Sequence, residues 1–473
     1  MIDLKQLRDD PDRYRAGAEK KRLAVDLDRL LELDAERRSL LSEEESLRAE
    51  QRTLGKATGP ALGKLKGRLK GAGAEERSGI EAEIAELQAR PAALKEKIQA
   101  LEERRRALEP EIESLLLEVP QPPDPDVPAG PDASGNIELR RWAPEGWDWD
   151  GGFAGSRGFE PRTHMELSES LGLVDFARGV KLAGTRSYVL TGDGMRLHQA
   201  VLRYAMDFMA ERHGFEPRSV PVLVREEAMT GTGFFPGGRD QAYHIEESAR
   251  GGGHDFYLAG TGEVGLMGMH ADEILDEADL PLRYVTVSTC FRREAGAAGR
   301  DTAGLYRIHQ FEKVEQVVIC RADEAESRSW HEKMIGYVEE LLRSLELPYR
   351  LLQCCTGDLG LKNADMVDVE CWMPGRGDLS DPRDPRSRPL GAFGETHSAS
   401  RLYDFQCRRL GMRSRAGGEA GTGPTSFCHS LNNTVAASPR LLIPLLEIHQ
   451  TEDGRVRVPE VLRPYFGGRG WIG

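Results

Sequence analysis

One short segment of the chain combines an aromatic ring, cations and carboxylates at spacings that could bind a charged ligand. Residues 290–315 read CFRREAGAAGRDTAGLYRIHQFEKVE, and strand-like runs at Val285–Phe291 and Phe311–Ile319 flank a Gly-rich, cationic loop. Two such runs around a glycine-containing loop predict a long antiparallel hairpin. The chemistry of the segment then depends on which of its side chains share a face.

The faces of this hairpin follow from the alternation of side chains along a strand. Arg292 and Glu294 should share one face of the first strand, and Phe311, Lys313 and Glu315 one face of the second. Such a surface suits a ligand with a base, a phosphate and an ammonium group, which describes a nucleotide beside an amino acid. The alternative is a charged surface hairpin in which Arg292 and Glu294 only pair with Lys313 and Glu315.

A second segment, near the C-terminus, places an arginine at a helix start. Residues 431–450, LNNTVAASPRLLIPLLEIHQ, lead through small residues into Pro439 and Arg440, and an apolar run follows. Proline suits the first turn of a helix, and an arginine beside a helix N-terminus adds to the attraction of that end for anions. We predict an anion-binding arginine; the alternative is a buried helix start with a solvated arginine.

Two heptad series indicate a long helical hairpin before these segments. The first series places leucine at every seventh position, at Leu33, Leu40, Leu47 and Leu54. The second runs from Ile80 to Leu115 in steps of three and four, beyond a Gly-rich stretch. This pattern predicts an antiparallel coiled-coil arm whose helices, at about 40 residues each, would reach about 60 Å. Pro91 interrupts the second series, so we predict a bend there.

The tip of this arm is strongly basic. Between Glu50 and Glu75 the chain has no carboxylate and carries six cations, Arg52, Lys56, Lys64, Lys66, Arg68 and Lys70. A local cluster of positive charge is what binding to the phosphate backbone of a nucleic acid requires. The alternative is a solvated helix face.

Residues 118–130 form a Pro-rich, stiff linker, and strand-like and helical segments are interleaved beyond it. Strand candidates follow one another at hairpin spacing around residues 284–319 and 350–373. We therefore predict a mainly antiparallel sheet with flanking helices for residues 131–473, and an N-terminal helical domain for residues 1–117.

Composition excludes several other classes of protein. No apolar run of about 18 residues is present and the N-terminus lacks an apolar signal segment, so we expect a soluble, cytoplasmic chain without a membrane span. The seven cysteines show no CxxC spacing and predict buried reduced thiols. A net charge of −14 argues against general binding to nucleic acid, so any such contact must come from a local patch.

These motifs together resemble those of a known family. Residues 290–315 are similar to motif 2 of the class II aminoacyl-tRNA synthetases, and their full pattern, FRxEAGxxGRDTxGLxRxHQFxKVE, resembles the seryl-tRNA synthetases. The segment around Arg440 resembles motif 3, although proline precedes the arginine and the usual glycines are absent. Residues 214–229, GFEPRSVPVLVREEAM, weakly resemble motif 1, with Pro221 as its proline.

The resemblance implies an α+β fold class, with an N-terminal antiparallel α-helical coiled-coil arm and a class II synthetase-like antiparallel β-sheet catalytic domain flanked by helices. It implies a serine–tRNA ligase that activates L-serine with ATP and transfers the seryl group to the 3′ end of tRNA(Ser), with tRNA(Sec) as an open second case. Mg²⁺ and a homodimer are further expectations, motif 1 marking the dimer interface. The alternatives are a paralogue that loads an aminoacyl group on a carrier protein and a non-catalytic RNA-binding scaffold.

Individual roles are carried over to matching positions only. Arg292 should bridge the α-phosphate and the serine carboxylate, and Arg440 should contact the γ-phosphate, as the two catalytic residues. The ATP site should comprise Arg292, Arg293, Glu294, Ile308, Phe311, Glu395, Thr396, His397, Ser398 and Arg440, with Mg²⁺ on Glu395 and Ser398 and with His397 not acting as a base. The serine site should comprise Thr261, Gly262, Glu263, Arg292, Glu315 and Thr434, and the six cations of the tip should bind tRNA. Residues 376–390 and 416–424 depart from the family pattern, the first as an insertion of unassigned role.

Overall fold

The fold is seen in a computed structural model that describes residues 1–296, 303–379, 388–417 and 423–473. The centre of the motif 2 loop and most of both departing stretches, 376–390 and 416–424, lie outside these ranges. The chain divides into two units. One contains Met1–Asp3, Asp12–Leu23 and Pro120–Gly473, and the other contains Leu4–Pro11 and Ala24–Val119. Among the described helices, none is long and apolar enough to cross a bilayer.

The second unit is built on two long helices, α1 (Leu27–Leu69) and α2 (Ala74–Glu118). Their heptad positions Leu33, Leu40, Ile80 and Ile112 are buried. Ion pairs join the start of α1 to the end of α2 and the middle of each helix to the other, through Arg29–Glu111 (2.8 Å), Arg104–Glu36 (2.7 Å) and Arg90–Glu50 (2.7 Å). The predicted antiparallel coiled coil is confirmed.

The Gly-rich stretch does not separate the two helices as predicted. Helix α1 continues through Gly55, Gly59, Gly63 and Gly67 and through Pro60, and the turn is confined to residues 70–73. Each helical glycine costs about 1 kcal/mol relative to alanine, but Leu65 stays buried near the tip and extends the apolar seam. Helix α2 is not interrupted at Pro91 or Pro110. The bend at residue 91 remains a prediction about curvature.

The first unit is organised around one sheet that has eight strands within the described residues. In chain order they are β1 (Ile137–Trp142), β2 (Glu216–Pro217), β3 (Leu282–Phe291), β4 (Gln310–Cys320), β5 (Tyr349–Gln353), β6 (Asp365–Met373), β7 (Ala392–Tyr403) and β8 (His429–Ser438). Their spatial order is β1-β5-β6-β7-β8-β4-β3-β2. Every neighbouring pair is antiparallel except β2 with β3, which confirms the predicted antiparallel sheet.

Smaller elements surround this sheet. Three helices flank it, namely α3 (Gly192–Asp207), α4 (Glu324–Ser344) and α5 (Leu442–Ile448). Shorter helices of this unit span Pro11–Lys20, Gly152–Arg157, His164–Ser170, Phe176–Ala183, Glu226–Gly231, Glu263–Gly268 and Phe405–Arg409. A further short helix, Leu4–Asp9, belongs to the other unit. The short strands form four small sheets. Two sheets have two strands each, Val174–Asp175 with Val189–Leu190 and Val456–Arg457 with Trp471–Ile472. Two have three strands each: the first comprises Leu223–Arg225, Tyr243–Ile245 and Phe256–Leu258, and the second comprises Ile274–Asp276, Arg413–Arg415 and Thr425–Phe427.

The two faces of the sheet have different roles. Val314 and Val318 of β4 are fully buried in one core with Val201 of α3 and with Met334 and Val338 of α4. Side chains alternate along a strand, so the odd-numbered residues of β4 occupy the other face. On that face, Phe311, Lys313 and Glu315 lie at the candidate ligand site, whereas Val317 and Ile319 are buried in a second core. The seven cysteines are buried and free of disulfides, as predicted.

Candidate active site

The motif 2 hairpin forms, but its first strand is shorter than predicted. Strand β3 ends at Phe291, so Arg292 and Glu294 lie beyond it and do not share a strand face; the backbone of Glu294 is left-handed, with φ of 52°. The amide of Arg292 donates to the carbonyl of His309 at 2.9 Å. Its guanidinium lies 5.4 Å from the centroid of the Phe311 ring. The chain reversal, and not strand alternation, therefore brings the cation over the ring.

The contacts differ from those of the alternative, a surface hairpin in which Arg292 and Glu294 pair with Lys313 and Glu315. Glu294 pairs with Arg307 at 2.6 Å, and Arg292 Nε donates to the carbonyl of Gly260 at 3.3 Å. Lys313 and Glu315 pair with each other at 2.5 Å, on the second strand. The cross-strand ion pairs of that alternative are replaced by contacts that line a cavity.

A cleft with about 480 Å³ of empty space lies over this face of the sheet. It collects eight of the predicted site residues from four segments of the chain, namely Arg292, Glu294, Ile308, Phe311, Glu395, Thr396, Thr434 and Arg440. The two arginines predicted to be catalytic, 148 positions apart in the sequence, thus line one cavity. Arg293, Gly262, Glu263, Thr261, Glu315, His397 and Ser398 are not among its lining residues.

Arg440 is fixed by the segment between β8 and α5. Its Nε donates to the carbonyl of Tyr306 at 3.0 Å and its Nη1 to the carbonyl of Glu395, also at 3.0 Å. The guanidinium lies 4.5 Å from the centroid of the Tyr306 ring, which supports it from one side. Two carbonyls and a ring leave part of the cation available to an anion in the cleft.

A β-bulge places Glu395 and Ser398 on the same face of the sheet. Residues three apart on a regular strand point to opposite faces, but the pairing of β6 with β7 shifts by one residue, with Glu370 opposite Glu395 and Val369 opposite His397. The extra residue, Thr396, turns its hydroxyl to the carbonyl of Val369 at 3.1 Å. The carboxylate of Glu395 is exposed. An exposed carboxylate beside a hydroxyl, both oxygen donors, fits a Mg²⁺ site.

His397 is turned away from the cleft. Its ring is buried, with Nε2 3.1 Å from the carbonyl of Val435 and Nδ1 2.8 Å from the hydroxyl of Thr396. Burial lowers the pKa of His397 to about 3. A ring that stays neutral and is bonded to the backbone has a structural role here. His397 was predicted to belong to the ATP site, although not as a base, and the lining of the cleft does not include it.

Three of the predicted serine contacts, Thr261, Glu315 and Thr434, form a buried group next to the cleft, which Thr434 also lines. Glu315 of β4 lies opposite Thr434 of β8, and the hydroxyl of Thr434 is 3.4 Å from Glu315 Oε2. Burial raises the pKa of Glu315, and the Lys313 cation acts in the opposite direction. Lys313 Nζ also donates to the hydroxyl of Thr261 at 2.8 Å. Lys313 therefore joins two predicted serine contacts, Thr261 and Glu315, and a third, Thr434, lies against Glu315.

Glu263 and Gly262 are held within the protein. Both carboxylate oxygens of Glu263 lie 2.8 Å from Lys362 Nζ, and Oε1 also accepts from the amides of Gln406 and Asn432. A Cβ on Gly262 would lie 2.5 Å from Thr286 Cγ2, so only glycine fits between this turn and β3. Both residues set the position of the Thr261 turn.

Two groups of predicted residues lie elsewhere. Arg293 is exposed and its Nη1 donates to the carbonyl of Asp240 at 3.2 Å. Arg52, Lys56, Lys64, Lys66, Arg68 and Lys70 are all exposed in the last turns of α1 and at its C-cap. Arg68 pairs with Glu76 at 3.1 Å.

Several residues that shape the site were missed in the sequence. Lys313 was predicted to share a strand face with Phe311 and Glu315, but it was given no role of its own in the site. Tyr306, which supports Arg440, lies in the motif 2 segment but has no chemical signal of its own. Lys362 lies on a loop and Gln406 in the short helix Phe405–Arg409, both far along the chain, and no local pattern indicates their role.

Two family models and a full-length relative match this chain. Residues 1–123 match a family model described as the seryl-tRNA synthetase N-terminal domain, and residues 243–449 match the tRNA synthetase class II core domain (G, H, P, S and T). The serine–tRNA ligase of Deinococcus radiodurans is 41% identical over 476 residues, covering 100% of this chain and 99% of that protein.

Solved structures show the same relationship. The seryl-tRNA synthetase from Pyrococcus horikoshii, complexed with ATP, is similar with a TM-score of 0.83 at 36% identity, covering 100% of this chain and 99% of its own. The cytoplasmic serine–tRNA ligase from Naegleria fowleri, in complex with AMP, is similar with a TM-score of 0.78 at 28% identity, covering 98% and 95%. The chain belongs to the seryl-tRNA synthetase family of class II aminoacyl-tRNA synthetases, whose members are serine–tRNA ligases.

Proposed function

We propose that this chain activates L-serine with ATP in the cleft between Arg292 and Arg440 and then transfers the seryl group to the 3′ end of tRNA(Ser). One observation carries the proposal: cations from two distant segments line one cavity, beside a buried carboxylate and two hydroxyls that suit a small hydroxylated substrate. An adenine base would stack on Phe311, with Glu294 and the Ile308 backbone at its edge.

The first step needs no protein base. The serine carboxylate is already ionised, and one of its oxygens attacks the α-phosphorus while the bond to the pyrophosphate oxygen breaks. Arg292 holds the attacking carboxylate and the α-phosphate together and neutralises the charge that develops there. Arg440 neutralises the phosphates of the leaving group. In the second step a ribose hydroxyl of the tRNA attacks the carbonyl carbon of the adenylate, and AMP leaves.

Glu395 and Ser398 would hold Mg²⁺, which supplies positive charge to the phosphates when bound. The carboxylate of Glu395 also lies 3.7 Å from Arg440 Nη1. Glu395 therefore orients the arginine as well as offering oxygens to a cation. Thr261, Glu315 and Thr434 would select the serine hydroxyl and hold the ammonium group.

The exposed cations at the tip of the helical arm would grip the tRNA backbone. They support tRNA(Ser) as the partner and weigh against a carrier protein, for which a basic helical tip has no use. tRNA(Sec) would present the same phosphate chemistry. A homodimer through the motif 1 segment is supported by Leu223, which is exposed within it. We also propose a cytoplasmic location, where these substrates are found.

Serine-dependent ATP–pyrophosphate exchange tests the proposal. We expect exchange with L-serine in the presence of Mg²⁺, little exchange with alanine or threonine, and charging of tRNA(Ser) at a matching rate. Charging of a carrier protein and not of tRNA would favour the paralogue. Absence of exchange with every amino acid, in a folded protein, would favour the non-catalytic scaffold.

A further inference from the structure

Lys313 is a buried cation that joins two of the predicted serine contacts. It is only 5% exposed, and it lies on β4 between Phe311 and Glu315 on the ligand face of the sheet. Its ammonium is 2.5 Å from Glu315 Oε2 and 2.8 Å from the hydroxyl of Thr261. Since a buried lysine is costly unless it is paired, its position requires an explanation beyond surface charge.

The two carboxylate oxygens of Glu315 differ in their contacts. Oε2 receives both Lys313 and, at 3.4 Å, the hydroxyl of Thr434. Within the described residues, both of these contacts fall on Oε2, and no hydrogen bond to Oε1 is found. An ionised carboxylate only accepts hydrogen bonds, whereas a protonated one also donates. If Glu315 is ionised, Oε1 is thus an acceptor for a hydroxyl donor of the substrate.

The charges around Glu315 show what loss of Lys313 would do. Lys313 faces it from its own strand, Glu263 from the helix Glu263–Gly268, and Lys362 from the loop before β6. Without Lys313, two carboxylates would share one cation in a buried space. Glu315 would then take up a proton, because burial already favours its neutral form.

We propose that Lys313 is a positioning residue for hydroxyl selection: it fixes Glu315 Oε2 and the Thr261 hydroxyl, and so keeps Glu315 Oε1 as an ionised acceptor for the substrate's hydroxyl. The inference rests on the proposed function and names the residue that sets the substrate preference of the same site. Its effect is on serine, which offers a hydroxyl, and not on alanine, which offers none.

The test compares serine and alanine as substrates of Lys313→Met in pyrophosphate exchange. We expect kcat/KM for serine to fall by about 100-fold, the usual range for a hydrogen bond to a charged group, with alanine changed less than about fivefold. Lys333→Met, at an exposed lysine of α4, is the matched control and should leave both values unchanged. Lys313→Arg, which keeps the charge, should recover part of the serine activity.

A double-mutant cycle with Glu315→Gln separates this role from a general loss of structure. If Lys313 acts through Glu315, the double variant K313M/E315Q should discriminate serine from alanine as E315Q alone does. The double variant lacks an unpaired buried charge, so we expect it to fold even if K313M does not. Additive effects of the two substitutions, or an equal loss for serine and alanine in K313M, would overturn the inference. If the wild-type protein shows no serine-dependent exchange, the proposed function itself fails.

Discussion

Lys362 and Glu263 form a buried ion pair in which the ammonium nitrogen lies 2.8 Å from both carboxylate oxygens. Their side chains are 14% and 3% exposed. Glu263 adjoins the turn that carries Thr261, while Lys362 stands on the loop before β6. The pair therefore ties the serine turn to a part of the chain about a hundred residues away, and Glu263 acts as an anchor.

The first prediction concerns this pair. Lys362→Met leaves the Glu263 carboxylate buried beside two amides only, so we expect a loss of about 3–5 kcal/mol in the free energy of unfolding. The KM for serine should rise more than the KM for ATP, because the Thr261 turn loses its anchor. Urea unfolding and exchange kinetics measure the two effects. Lys181→Met, at an exposed lysine, is the control; a K362M protein as stable as that control would contradict the anchor role.

A second prediction concerns the α-phosphate. Arg292→Ala should reduce serine-dependent exchange by roughly 10²–10³-fold, because a positioned charge in the transition state is lost. Arg292→Lys should recover little, since an ammonium cannot bridge two anions as a guanidinium fork does. The unfolding midpoint should change by little, because the guanidinium is exposed and has one bond to a carbonyl. Near-normal exchange in R292A would remove Arg292 from the mechanism.

A third prediction separates the arm from the cleft. Replacing Lys64 and Lys66 by alanine should raise the KM for tRNA and reduce the salt dependence of tRNA binding, because fewer counterions are released. Pyrophosphate exchange should not change. Lys95 and Lys97, exposed on α2 outside the tip, provide an equivalent control pair. Equal effects of the tip and control substitutions would show that net charge, and not the tip, matters.

A fourth prediction follows from His449. Burial, followed by the charge of Arg457, lowers the pKa of His449 to about 4 from its ordinary 6.5. Between pH 6.5 and about 4, the unfolded chain therefore binds a proton at this histidine and the folded chain does not. The free energy of unfolding should fall as the pH drops through this range. His449→Gln should flatten this slope in urea unfolding at pH 7, 6 and 5. His254→Gln, at an exposed histidine, should leave the slope as it is.

The sequence predicted the elements of the fold better than their ends. Heptad leucines and the motif 2 string are strong local signals, and both the coiled coil and the hairpin formed. The end of β3 at Phe291 could not be predicted, because the pattern of apolar residues does not show where the hydrogen bonds between two strands stop. The helical path through Gly55 to Gly67 was missed because local propensity opposes it and only packing against α2 favours it. The bulge at Thr396 and the loop lysine Lys362 depend on tertiary pairing, so no local pattern encodes them.

The last prediction tests the turn itself. A methyl group on Gly262 would lie 2.5 Å from Thr286 Cγ2, which is closer than real contacts allow, and 3.0 Å from Ser288 Oγ, which is tighter than most; both residues are on β3. Gly262→Ala should therefore push the Thr261 turn away from the sheet and break the bond between Lys313 and the Thr261 hydroxyl. We expect at least a tenfold rise in the KM for serine, from the loss of about 1.5 kcal/mol of binding. Gly237→Ala, where nothing lies within 4 Å, is the control. If G262A binds serine as well as G237A does, the close approach of this turn to β3 is not what positions the substrate.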